Sequence, residues 1–136
     1  MQIAPLVTYA FCSYDGTDEE VKKHLKKVSD LGPEIVCASR VAKGCMLYCN
    51  GKYYEQKAVP IEKVVDTMGA GDSYFSAFLC SLLETSKEGK IVEGTDEEMA
   101  KRLQTAMGKG AVFAAKVCAL EGAFGYGVPI LGKTTV

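Results

Sequence analysis

Two carboxylates bracket a glycine-rich turn in Asp66-Thr67-Met68-Gly69-Ala70-Gly71-Asp72-Ser73, directly ahead of an apolar helical pattern. Glycine at 69 and 71 lets the backbone approach an oxyanion with no Cβ in the way, and Ala70 keeps the middle of the turn small. The helix that follows leaves its first N–H groups without intrahelical acceptors and adds partial positive charge at the same point. Such a start binds anions. Asp72, in the first turn, is placed to accept a proton from an alcohol attacking a phosphoryl group. Because that transition state is loose, its main task is to align the hydroxyl. Without any ligand, Asp72 would simply cap the helix and the glycines make a tight turn, as most Gly-Asp helix starts do. The added Asp66-Thr67 at fixed spacing favours the chemical reading.

The elements that must hold this turn alternate in type. Residues 6–12 are rich in apolar and aromatic side chains and predict a strand buried on both faces. Thr17-Asp18-Glu19-Glu20 has the form in which side-chain and backbone donors satisfy each other at a helix start. Val21, Leu25, Val28 and Leu31 then mark one face, and Gly32-Pro33 ends the helix. The run Ile35-Val36-Cys37-Ala38 is too short for a helix between its breakers, so 34–39 is a second buried strand and the unit is parallel. Asn50-Gly51 joins 45–49 to Tyr53-Tyr54 as an antiparallel hairpin. Residues 57–65, with Pro60, read as an extended segment near a sheet edge or crossing out of the sheet.

After the glycine turn, Phe75, Phe78, Leu79, Leu82 and Leu83 keep helical spacing until 86–94 breaks it. Thr95-Asp96-Glu97-Glu98 opens another helix through Met99, Leu103, Met107, Val112 and Val117, weakened locally by Gly108 and Gly110. The two Thr-Asp-Glu-Glu copies are shared helix starts and no internal repeat. Residues 122–136 read as loop and tail.

A chain of 136 residues predicts one domain of α/β class. Its 16 basic and 17 acidic side chains, for a formal charge of −1, favour small-molecule partners over nucleic acid or an anionic membrane. No apolar stretch approaches the roughly 20 residues that span a bilayer, and the expected location is cytoplasmic. Six cysteines lie inside apolar patterns without a Cys-x-x-Cys pair and read as buried free thiols.

Asp66-Thr-Met-Gly-Ala-Gly-Asp72 resembles the C-terminal signature of the ribokinase-like (PfkB) carbohydrate kinases. The whole chain resembles the C-terminal half of such a kinase. Tyr9-Ala-Phe-Cys-Ser13 and the segment from Glu121 to Pro129 are similar to its fructoselysine 6-kinase branch. The resemblance implies a three-layer ribokinase-like fold and ATP-dependent phosphorylation of a sugar hydroxyl, with a sugar or sugar-amine as substrate. It implies Asp72 as catalytic base, Gly69, Ala70 and Gly71 as anion hole, and Ser39, Gly44, Gly110, Ala111 and Ala114 at the ATP site. Close helix packing explains the small residues of the last segment equally well. Asp66 and the backbone of Met68 either help hold a monovalent cation, K+ in family terms, or merely form the turn.

Two departures stand out. Where many members have Thr-x-Gly-x-x-Gly, this chain has Ser39-Arg40-Val41-Ala42-Lys43-Gly44. Where many have Asn-x-x-Glu, which organises the phosphates that carry Mg2+, it has Ser13-Tyr14-Asp15-Gly16. Asp15 is the candidate to compensate, and Arg40 and Lys43 either steady nucleotide phosphates or stand as solvated surface charges. The resemblance leaves the N-terminal sugar-binding and lid half without a counterpart, which implies a homodimer or a separately supplied N-terminal half. The alternative function is a non-catalytic nucleotide- or anion-binding module.

Overall fold

The computed structural model describes residues 3–125. Four strands form one sheet in the order β1 (Tyr9–Ser13), β2 (Ile35–Ser39), β3 (Cys45–Cys49) and β4 (Lys52–Gln56). β1 and β2 are parallel with Tyr9 opposite Ile35, and α1 (Asp18–Ser29) makes the crossover between them. β2, β3 and β4 are antiparallel neighbours, so the hairpin extends the parallel pair as expected. Asn50 and Gly51 both take positive φ, 48° and 76°, the pair that a two-residue hairpin turn requires. α2 (Ala70–Glu84) and α3 (Asp96–Cys118) follow.

Alternation along the strands sorts the core into two layers. Ile35, Cys37, Cys45 and Leu47 face α2 and α3, packing with Tyr74, Phe78, Leu82, Met99, Leu103 and Met107. Val36, Ala38 and Met46 face α1, packing with Val21, Leu25 and Val28. Helices therefore cover both sheet faces, a three-layer α/β arrangement.

Several expectations need correction. β1 is half-buried along its length because it lies at the edge of the described sheet, where one side has no neighbouring strand. Residues 57–65 belong to no strand, which decides between the two alternatives for a segment that crosses out of the sheet. Leu31 is 41% exposed: α1 has already ended, and the chain turns at Gly32, where an added Cβ would lie 2.6 Å from the Ala4 carbonyl oxygen. Leu83 and Val112 also face solvent, because α2 and α3 meet through Tyr74, Ser81, Ala106, Gly110 and Ala111, smaller or more polar residues than a search for large apolar ones detects. α3 runs unbroken through Gly108 and Gly110, since packing along α2 outweighs a propensity cost of about 1 kcal/mol per glycine. Among the cysteines, Cys37, Cys45 and Cys49 are buried, Cys12 and Cys118 are intermediate, and Cys80 is exposed on α2. The expected tail at 126–136 lies outside the described residues.

Both predicted capping boxes are present. Thr17 N–H donates to the Glu20 carboxylate at 2.8 Å and Thr95 N–H to Glu98 at 2.9 Å, while each Glu N–H returns a bond to the threonine hydroxyl at 3.3 Å. The backbone N–H at each cap holds both carboxyls below their ordinary range. A depressed carboxyl contributes stability that is complete above the unfolded value of about 4.3 and is lost as pH falls through the lower folded value. The urea midpoint is therefore expected to decline on acidification below about pH 4.5. A midpoint flat from pH 5 to pH 3 would remove this assignment.

Candidate active site

α2 starts differently from the other two helices. Its N-cap is Gly69 at φ 78°, which offers no side-chain acceptor, whereas Thr17 and Thr95 close the starts of α1 and α3. The Gly69 carbonyl accepts from Ser73 N–H at 2.9 Å and from the Ser73 hydroxyl at 2.6 Å, which fixes the first turn. Ala70 N–H donates back to the Thr67 carbonyl at 3.2 Å. Of the expected anion-hole donors, Ala70 is thus engaged in the turn itself. Among the described residues the N–H groups of Gly71 and Asp72 have no acceptor, and they carry the positive end of the helix dipole.

Gly71 has no packing reason to be glycine. Among the described residues, a Cβ there would meet only the Phe11 ring edge, at 3.8 Å, an ordinary contact, and its φ is not positive. A side chain would fit the fold, yet it would stand where an anion must approach the amides. Asp72 is exposed, and its carboxylate makes no hydrogen bond or ion pair among the described residues. The arrangement offers unpaired amide donors beside a free carboxylate, the elements needed to hold an oxyanion while a neighbouring hydroxyl is aligned.

Asp66 has a different employment. One carboxylate oxygen accepts from Met68 N–H at 2.9 Å and the other from Gly122 N–H at 3.2 Å, while Val65 and Asp66 N–H groups donate to the Cys118 carbonyl at 2.8 and 3.3 Å. Asp66 thereby forms the turn and straps it to the end of α3. This accounts for Asp66 without a cation. No group of three His, Cys, Asp or Glu side chains is gathered as a metal cage among the described residues. Asp15, in the connection after β1, is exposed.

The second half of the site lies where β1 and β2 end, at the carboxyl ends of parallel strands, where open α/β sheets hold their ligands. Ser13 and Ser39 hydroxyls are 3.2 Å apart, and Tyr14 N–H donates to the Ser39 carbonyl at 3.0 Å. Gly44, at φ 93°, is required by close approach: a Cβ there would lie 2.1 Å from the Gln56 carbonyl oxygen. Arg40 is the surprise of this loop. It is neither a solvated charge nor a free phosphate ligand, because it is 2% exposed and ion-paired with Asp18 and, at 3.6 Å, with Glu55. The Arg40 guanidinium beside Asp18 holds that carboxyl below its usual range. Lys43 and Lys57 join these three around a cleft of roughly 390 Å³.

Tyr74, which nothing in the sequence singled out, joins the two halves. It stands two residues after Asp72, its hydroxyl accepts from the Cys45 thiol at 2.8 Å, and its ring lies 5.8 Å from that of Phe11, stacked. Burial pushes its phenol well above the ordinary range. Gly110 makes room for this ring. A Cβ at 110 would meet two Tyr74 ring carbons at 2.9 Å and the Tyr74 carbonyl oxygen at 3.0 Å. Gly110 and Ala111 are buried in the helix interface, and Ala114 is half-buried against the same cluster, so packing explains the small residues of α3. Gly110→Ala is expected to destabilise the chain by about 1–3 kcal/mol through overpacking. An unchanged denaturant midpoint would show that α2 and α3 do not need this close approach.

Comparison with known proteins agrees with this geometry. The pfkB family carbohydrate kinase description matches residues 9–125. The fructosamine kinase FrlD of Bacillus subtilis is 32% identical over 129 residues, which are 94% of this chain and 40% of that protein. Fructoselysine 6-kinase of Escherichia coli is 31% identical over 78 residues, covering 57% of this chain and 30% of the other. Arabidopsis thaliana ribokinase, solved with ribose and ATP, superposes with a TM-score of 0.60 at 23% identity over 84% of this chain and 36% of its own. The fold is therefore ribokinase-like. The chain spans less than half the length of the curated relatives it matches.

Proposed function

Because this chain belongs to the pfkB family of carbohydrate kinases, we propose that it supplies the nucleotide site, anion hole and base for ATP-dependent phosphorylation of a sugar hydroxyl. The observation that carries the reading is the start of α2. There, unpaired N–H groups, a glycine that packing does not require and an unengaged aspartate occur together at 71–72. In this reading the N–H groups of Gly69, Gly71 and Asp72 receive the oxygens of the transferring phosphoryl group, with Ala70 shaping the turn. Asp72 accepts the proton of the attacking hydroxyl and holds its oxygen in line. ATP supplies the phosphoryl group, and Mg2+ bound to its phosphates offsets their charge. Asp15 is the residue of this chain proposed to approach that ion.

Ser39 and Gly44 border the nucleotide, and Ala114 lies on the third wall, with Gly110 and Ala111 setting how near α3 stands to α2. Similarity to a fructosamine kinase and a fructoselysine 6-kinase favours an amine-linked sugar such as fructoselysine, phosphorylated on its 6-hydroxyl. A monovalent cation at Asp66 and the Met68 carbonyl belongs to the same reading, although Asp66 is already accounted for by its backbone bonds. Residues 1–136 are proposed as the ATP-binding and catalytic portion, with sugar contacts and a lid supplied from outside these residues, by further chain or by a second copy. Consistent with this, β1 has an open edge, and Ile3, Leu6 and Val7 are exposed near it. A strictly monomeric species in light scattering would count against self-association.

Calorimetric titration with ATP and Mg2+, followed by an ADP-release assay with fructoselysine and with ribose, tests the proposal. Sugar-dependent ADP release supports the kinase. The unpaired amides at the start of α2 serve equally a second reading, a nucleotide-binding module without its own turnover. Nucleotide binding with no ADP release under any sugar would establish that module. Absence of ATP binding would overturn both.

A further inference from the structure

We infer that Arg40 is a positioning residue whose buried guanidinium clamps the loop after β2 to the start of α1 and to β4, and so presets the ends of β1 and β2 that face the nucleotide. The consequence for ATP rests on the proposed kinase reading; the clamp rests on geometry alone.

Three sets of contacts meet at this residue. Its side chain, 2% exposed, pairs with Asp18 in the first turn of α1 and with Glu55 on β4, carboxylates that belong to separate elements. Its backbone closes the loop at both ends, with Arg40 N–H donating to the Gly44 carbonyl at 2.8 Å and Lys43 N–H to the Arg40 carbonyl at 3.0 Å. The loop then touches the β1–α1 connection directly, since Lys43 Nζ reaches the Gly16 carbonyl at 3.4 Å. These two connections overlap residues 13–16 and 39–44, the segments where the chain departs from the family pattern.

Stability alone does not account for an arginine at 40. Burying a guanidinium costs desolvation, and its Nε has no acceptor among the described residues. An apolar side chain of similar volume in place of a buried ion pair is often neutral or stabilising. What a planar, forked cation supplies that an apolar residue cannot is fixed geometry between two carboxylates on different elements. Here that geometry sets where two loops end.

Arg40→Met separates the roles. The expected result is a melting temperature close to that of the unaltered chain, faster amide hydrogen exchange across 14–17 and 40–44, and a Kd for Mg-ATP raised about tenfold or more by the misplaced loop. Asp18→Asn, on an exposed side chain, is expected to shift exchange and Kd the same way by less, and it decides the matter if Arg40→Met fails to fold. Exchange that is unchanged in the folded variant overturns the clamp. Faster exchange with an unaltered Kd overturns its role in nucleotide positioning. If the unaltered chain binds no ATP, the kinase reading falls, while faster exchange in Arg40→Met still upholds the clamp.

Discussion

Asp72→Asn is expected to lower kcat by about 10²- to 10⁴-fold, the range that a positioned general base contributes, while leaving ATP affinity near its original value. The aspartate is at the third position of α2, exposed and without a partner among the described residues, so no internal contact is lost when its charge is removed. The loss of a carboxylate near the helix dipole costs stability by about 0.3–1 kcal/mol, too little to unfold the chain. The measurement is steady-state ADP release with the sugar acceptor at saturation, alongside calorimetry with ATP. If turnover falls and Kd does not, Asp72 acts on the hydroxyl. Turnover near that of the unaltered protein would remove Asp72 from the base role and leave the site as a phosphate cradle only.

Gly71→Ala is expected to part stability from function in opposite directions. Within the fold, the new methyl reaches only an ordinary contact with Phe11, and alanine in a helical position is favoured over glycine by roughly 0.5–1 kcal/mol, so the melting temperature should hold or rise. At the site, the methyl stands over the N–H groups of Gly71 and Asp72. Losing one such donor to a developing oxyanion costs about 10²–10³ in turnover, and a comparable loss is expected here. The contrast with Gly44 and Gly110 is instructive. Alanine at either of those collides with backbone or ring atoms, so lost activity there would carry no information about the nucleotide. A Gly71→Ala protein that is stable and fully active would sink the anion-hole assignment.

The legible parts of this molecule are those fixed by neighbours in sequence. Thr17 and Glu20, Thr95 and Glu98, Asn50 and Gly51, and the bounded run Ile35–Ser39 each settle their local structure within a few residues, and each appears where expected. What was not legible depends on partners far along the chain. Arg40 is buried because Asp18, 22 positions earlier, and Glu55, on another strand, both face it. Gly110 reads as a weak point in a helix until Tyr74 is seen against it, and Leu31 reads as core until α1 is seen to stop at Ser29. The site divides in the same way. The free amides at Gly71 and Asp72 follow from helix geometry, whereas the Ala70 bond to Thr67 and the double duty of Asp66 depend on how the turn is laid against α3.

Cys80 gives the chain a practical handle. It is the exposed thiol of the six, and it rides on the same helix as Asp72, about 12 Å away at 1.5 Å per residue. A maleimide fluorophore should therefore couple there first without any engineered cysteine. Its emission would then report, in real time and in the unmutated protein, whether nucleotide addition displaces the rod that bears Asp72.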